Sequence, residues 1–151
     1  MKVIGGALLA GALAAVVGAV LVRRRYVVIT VEGSSMVPTL RDGDRVLVRR
    51  RRIDELSRGD VVVLEPPHDP TGRYLSAPTG PDGHLWNIKR AVALPGDPVP
   101  PEVGEAADRV PDGALVVFGD NSSSIDSRQR GFYSGDRLLG VALRRLGGTT
   151  L

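Results

Sequence analysis

Val3 to Val22, VIGGALLAGALAAVVGAVLV, is an uninterrupted run of apolar and glycine residues, closed by Lys2 on one side and by Arg23, Arg24 and Arg25 on the other. At the helical rise such a run is long enough to cross the hydrocarbon core of a bilayer, so residues 1–25 are expected to form a single transmembrane anchor with basic flanks. A cleaved secretory signal is the rival reading, because Ala12 and Ala14 give an A-x-A pattern. The run is longer than a usual signal core and ends in arginines rather than in a polar cleavage region, which favours the anchor. From residue 26 the period shortens. Valine-rich runs bounded by glycine, proline and charged residues predict strands at Tyr26 to Glu32, Asp44 to Arg50, Asp60 to Leu64, Leu85 to Leu94, Ala114 to Phe118 and Leu138 to Leu146. Ile53 to Ser57 is the one helical turn expected outside the anchor. Residues 26–151 therefore read as one mostly β, antiparallel domain. Two proline- and glycine-rich stretches interrupt it, Pro66 to His84 and Pro95 to Gly113, and both read as surface connections or flaps.

Composition changes this picture in only a few places. A chain of 151 residues has room for one modest core beside an anchor. With no cysteine and only His68 and His84 as imidazoles, neither thiolate chemistry nor a metal centre is supported. Of the 20 basic residues all but Lys2 and Lys89 are arginine. Arginine holds its proton, whereas a lysine in an apolar setting can lose one, so Lys89 is the sole amine base available inside the folded part. The densest basic run, Arg49 to Arg52, has no interleaved aromatics, and an aromatic content of 4% argues against nucleic-acid binding. It reads as a solvated face near lipid headgroups.

The stretch GSSMVPTL, Gly33 to Leu40, follows the first strand directly. Glycine there lets another backbone approach, and Pro38 fixes the exit and holds Val37 extended, a geometry that suits an exposed hydroxyl nucleophile. Such a hydroxyl needs a base. His68 and His84 lie in or at the edge of the proline-rich loop with no strand to fix them, while Lys89 sits within LWNIKRAVAL, where burial would disfavour its ammonium. A serine–lysine dyad is the nucleophile–base pair these residue types allow.

Four segments in order, GSSMVPTL, RGDVVVL (Arg58 to Leu64), NIKRAVALPGD (Asn87 to Asp97) and GDNSSSIDSRQRG (Gly119 to Gly131), resemble the motif set of bacterial type I signal peptidases, from about Val31 to about Leu146. The resemblance implies a signal-peptidase-type antiparallel sheet behind one membrane helix, with Ser35 as nucleophile and Lys89 as general base. It assigns Ser124, two residues before Asp126, to orienting the base, with Ser123 as the alternative because GDNSSSIDSR is one residue shorter than in many members. Gly33, Met36 and Pro38 fall at positions that shape the substrate cleft. Asp126 and Arg128 match a structural ion pair, and Asp120 and Asn121 match turn-forming support. Gly33 stands where some members carry an oxyanion-donating serine, which leaves the backbone N–H of Ser35 as the donor here.

The same resemblance implies a membrane-anchored serine endopeptidase that removes signal peptides from exported preproteins without metal or cofactor. Its partners would be preproteins with small residues before the cleavage site, and the lipid bilayer. Two alternatives stand beside it: a dedicated maturation protease resembling those that process nickel superoxide dismutase, and a non-catalytic membrane-tethered peptide-binding module. The expected location is the cell membrane, single-pass, with the catalytic domain on the extracytoplasmic side. The three arginines after the apolar run argue for the opposite side under the positive-inside rule.

Overall fold

The computed structural model describes residues 15–68 and 85–147. The first fourteen residues, most of the proline-rich stretch Pro66 to His84, and His84 itself lie outside the described residues. What is described of the apolar run is a helix, α1 (residues 15–25), exposed along its length. Among the described residues no helix is long and apolar enough to cross a membrane; of the expected span from Val3 to Val22, Val3 to Ala14 lie outside the described residues.

The chain passes from α1 directly into a seven-stranded antiparallel sheet: β1 (Tyr26–Thr30), β2 (Arg45–Arg49), β3 (Val61–Leu64), β4 (Asn87–Ala93), β5 (Ala114–Phe118), β6 (Tyr133–Ser134) and β7 (Leu138–Arg145), ordered β1-β2-β7-β3-β4-β5-β6. Six of these are the runs read from the sequence: Ala114–Phe118 keeps its bounds, and the other five are trimmed by one to three residues in all. The two-residue β6 was not anticipated, because a pair as short as Tyr133–Ser134 carries no period.

The sheet is covered on both faces, and for that reason β3 is buried at every position. Alternation along β3 and β4 sends Val61, Val63 and Ile88 into one apolar cluster with Val31, Met36, Leu40, Val46, Val48 and Ala142. The other parity sends Val62, Leu64 and Ala91 into a second cluster with Leu115, Val117, Tyr133 and Val141. Each fully buried valine or leucine contributes on the order of 2 kcal/mol. The first cluster therefore pins the segment that follows β1, and the second backs the centre of β4.

The stretch Pro95 to Gly113 is not a plain surface connection. Pro98 and Arg109 bridge across it, and Val103 and Val110 are buried against Ala93 and Val116. Its 3-10 turn, Pro101–Val103, packs against a short helix, α2 (Ser127–Arg130), also unforeseen. Asp126 starts α2 by accepting from the Arg128 N–H at 3.2 Å, while Gln129 Oε1 accepts from the Asp126 N–H at 2.9 Å. This capping box compensates for a helix too short to stand alone.

Candidate active site

The segment carrying Ser35 is shaped from both ends. Gly33 enters it at φ +85°, a left-handed conformation that suits glycine, and its N–H donates to Asp42 Oδ1 at 2.7 Å. Past Ser35, the Met36 side chain is 1% exposed and sits in the first apolar cluster, and the Met36 carbonyl accepts from Leu40 N–H at 2.9 Å. Met36, expected at the cleft, thus holds the turn from beneath, while Gly33 and Pro38 are exposed. Ser35 is left half-buried at the top of an anchored turn.

Lys89 lies mid-way along β4 opposite Val62 and is 4% exposed. Its Nζ donates to Ser124 Oγ at 2.9 Å. Burial pulls the Lys89 ammonium down from its ordinary value to about 8; the Asp126 carboxylate pulls the other way, and Arg130 and Arg128 reinforce the burial. Near neutral pH a fraction of the molecules on the order of one in ten then carries the neutral amine, against fewer than one in a thousand for an ordinary lysine. Ser123, the alternative orienting serine, is exposed, and its N–H donates to Asn121 Oδ1 at 3.0 Å.

Residues 119–127 bring these two parts together. The loop leaves β5 at Gly119 and folds back on the strand: Gly119 N–H donates to Asp126 Oδ2 at 2.7 Å, and Val117 N–H donates to the buried Ser127 Oγ at 2.9 Å. A Cβ on Gly119 would stand 2.2 Å from Ser124 Oγ and 2.5 Å from the Ser35 carbonyl oxygen. The hydroxyl that takes the Lys89 bond and the backbone of Ser35 therefore press on one glycine Cα. Asn121 completes the join. Its backbone N–H donates to the Ser35 carbonyl at 3.0 Å and its Nδ2 to the Ser34 carbonyl at 3.1 Å.

Asp120 and Asn121, expected as turn formers, therefore reach across to the Ser35 segment. The Asp120 carboxylate accepts Arg90 Nε at 2.8 Å and Nη2 at 2.7 Å and also takes the Thr39 hydroxyl, so it ties the residue after Lys89 to the far end of the Ser35 turn. The Arg90 bonds hold the Asp120 carboxyl below the usual carboxylate range against the opposing effect of burial. Asp126 is fully buried. Burial pushes its carboxyl up, but bonds from Arg128 Nε at 2.9 Å and Nη2 at 2.7 Å, with those from the backbone of Gly119 and Arg128, outweigh it and keep the group ionised. Arg128 in turn lies over the Phe118 ring, 5.1 Å from its centroid.

Gly119, Arg90, Thr39 and Ser127 were not singled out in the sequence. Arg90 and Gly119 stand inside quoted motifs, but nothing in one sequence marks a guanidinium that braces a neighbouring strand, or a glycine required for lack of a Cβ. Arg58 to Asp60 and Asp97, also inside the motifs, brace β4: Arg58 Nε donates to Asp97 Oδ2 at 2.7 Å, and Gly59 N–H to the Ala91 carbonyl at 2.8 Å. Among the described residues no three metal-ligating side chains converge. The arrangement offers a hydroxyl on a rigid turn and a poorly solvated amine, both fixed by one intervening loop. Those are the parts of covalent acyl transfer by a serine with an amine as its base.

Residues 4–105 match the model of a family described as signal peptidase, peptidase S26. The chain is 33% identical to the probable signal peptidase I-1 of Synechocystis, covering 76% of this chain and 68% of that protein. It is 32% identical to signal peptidase I T of Bacillus subtilis, over 74% of this chain and 69% of that one. It is also 31% identical to mouse mitochondrial inner membrane protease subunit 1, over 69% and 59% respectively.

Proposed function

The chain belongs to the signal peptidase, peptidase S26, family, and on that premise we propose that it cleaves signal peptides from exported preproteins by a Ser35–Lys89 dyad at the membrane. The enzyme is a serine endopeptidase. In the proposed reaction Ser35 Oγ attacks the scissile carbonyl carbon while neutral Lys89 takes the hydroxyl proton. The Ser35 N–H donates to the oxyanion, and the protonated Lys89 delivers its proton to the leaving amine as the peptide bond breaks. Lys89 then deprotonates a water that attacks the acyl-enzyme ester, and it returns that proton to Ser35 Oγ as the ester C–O bond breaks. Ser124 Oγ keeps the amine aimed, and the Asp126–Arg128 pair fixes the segment carrying Ser124.

One observation carries this reading. Lys89 is a buried amine whose hydrogen bond goes to Ser124 Oγ, on a loop that also holds the Ser34 and Ser35 carbonyls. A lysine buried for packing alone would pair with a carboxylate rather than with a hydroxyl. Gly33 is exposed, with open space where a Cβ would stand, so a substrate peptide can approach the Ser35 turn from this side. Anchorage by the apolar run ending in α1 would place enzyme and substrate in one bilayer, which raises their effective concentration; the domain then stands on the extracytoplasmic side, where preproteins emerge.

Incubating the detergent-solubilised full chain with a model preprotein tests the dyad. Wild type is expected to release the mature fragment, and Ser35→Ala and Lys89→Ala none; cleavage by either variant would refute it.

A further inference from the structure

Seven arginines meet at one end of the sheet. Arg23, Arg24 and Arg25 close α1, which runs without a linker into β1, while Arg49 ends β2 and Arg50 to Arg52 follow it. The pairing of the two strands sets Tyr26 opposite Arg49, and the Arg50 N–H donates to the Arg25 carbonyl at 2.8 Å. Two basic runs that are distant in sequence thereby become one collar. Its acidic neighbours are Glu55, 3.6 Å from Arg51 Nη1, and Asp54, 3.3 Å from Arg52 Nε. Both pairs are solvent-accessible and neutralise the collar only in part. Immediately beside it α1 exposes Val16, Val17, Val20, Leu21 and Val22.

Apolar surface running without a break into guanidinium groups is the pattern of a segment that enters hydrocarbon and stops at the headgroups. A nucleic acid would leave the apolar face unexplained. Guanidinium also matches phosphate oxygens in a bidentate fashion. We infer that this collar binds the headgroups of anionic phospholipids and holds the β1–β2 end of the sheet against the membrane surface, so that β2 as well as the helix attaches the domain. The inference rests on the membrane-anchor reading above and adds to it a requirement for lipid charge.

The test is flotation of the full chain with vesicles of phosphatidylcholine alone or of phosphatidylcholine mixed with phosphatidylglycerol, over a range of sodium chloride. Wild type should partition more strongly into the anionic vesicles, roughly fivefold for each engaged arginine at low salt, and the preference should shrink as salt shortens the screening length. Arg49→Gln/Arg50→Gln should lose about 25-fold of that preference while still floating with phosphatidylcholine and cleaving preprotein in detergent at the wild-type rate. Arg49→Lys/Arg50→Lys should keep it. Arg23→Gln/Arg24→Gln, on the exposed helix end, should behave like the first pair and serves if β2 does not tolerate glutamine. Equal partition of wild type into the two membranes overturns the inference, as does full retention of the preference by both glutamine variants. If wild type does not float with phosphatidylcholine at all, the anchor reading has failed; a preference for phosphatidylglycerol above that baseline still supports the collar.

Discussion

Replacing Lys89 by methionine should abolish cleavage and at the same time stabilise the fold at neutral pH. Methionine fills nearly the same volume without a charge, so the substitution removes the cost of keeping an ammonium in a site that is 4% exposed. That cost follows from the position of the titration. Lowering the amine from 10.5 to about 8 corresponds to about 3 kcal/mol at about 1.4 kcal/mol per pH unit. Below pH 8 folded and unfolded wild type are both protonated, and the penalty is fully present. Between about 8 and 10.5 the unfolded chain binds more protons than the folded one, so wild-type stability rises with pH until the penalty is gone. The variant has no such group. Its advantage over wild type should therefore shrink by about 3 kcal/mol between pH 7 and pH 11, a large fraction of a typical domain stability of about 5–15 kcal/mol. Losing the bond to Ser124 offsets the advantage by about 1 kcal/mol at every pH and leaves the trend intact. Guanidinium unfolding of the full chain in non-ionic detergent, followed through the fluorescence of Trp86, the single tryptophan, measures both proteins. Titration of the tyrosines is common to the two and cancels. A stability difference that stays flat within about 1 kcal/mol from pH 7 to pH 11 would refute the claim that Lys89 is held as a strained cation at neutral pH.

For wild type, kcat/KM on a preprotein peptide should rise about tenfold per pH unit below about 8 and level off above it; a profile flat from pH 6 to 9 would contradict a titrating amine base. Ser124→Ala should lower kcat by about 10- to 100-fold with KM little changed, in steady-state kinetics. Gly119→Ala drives a methyl into Ser124 Oγ and the Ser35 carbonyl at once, so cleavage should be lost and the chain destabilised by about 2–4 kcal/mol in the Trp86 assay; an active Gly119→Ala enzyme would show that the loop has room to shift. Asp120→Asn loosens both Arg90 and Thr39 and should cost about 1–3 kcal/mol, with faster hydrogen exchange across residues 33–40.

Much of the fold was legible because β2, β3, β5 and β7 are valine- or leucine-rich runs with turn residues at their ends, and buried strands need little more. A serine with Lys89 as its base could be proposed because two hydroxyls, Ser34 and Ser35, followed a predicted strand and one amine stood in an apolar run, and the resemblance picked Ser35 of the two. What escaped has a common physical reason. The helix α2 is four residues held by a capping box, β6 is two residues, and the 98–109 element is a single bridge over Val103 and Val110. None has a period to read: β6 and the 98–109 element owe their form to tertiary contacts, and α2 to its local capping box and its packing on the Pro101–Val103 turn. The clamp made by Asp120 and Asn121 was hidden for the same reason, since its partners are Arg90 and Thr39 and the carbonyls of Ser34 and Ser35, all far away in sequence. Met36 gave no sign of its direction, because an apolar residue beside a nucleophile serves equally well under the turn or facing a ligand.

The hydrogen bond from the Asn121 side chain to Ser34 closes over 87 residues. A nascent polypeptide that has already emerged past residue 40 carries its hydroxyl with no amine aimed at it, and it stays so until translation has passed the segment after β5. On the proposed dyad, cleaving power would thus be withheld until residues 119–127 have followed, a dormancy set by the order in which the parts leave the ribosome.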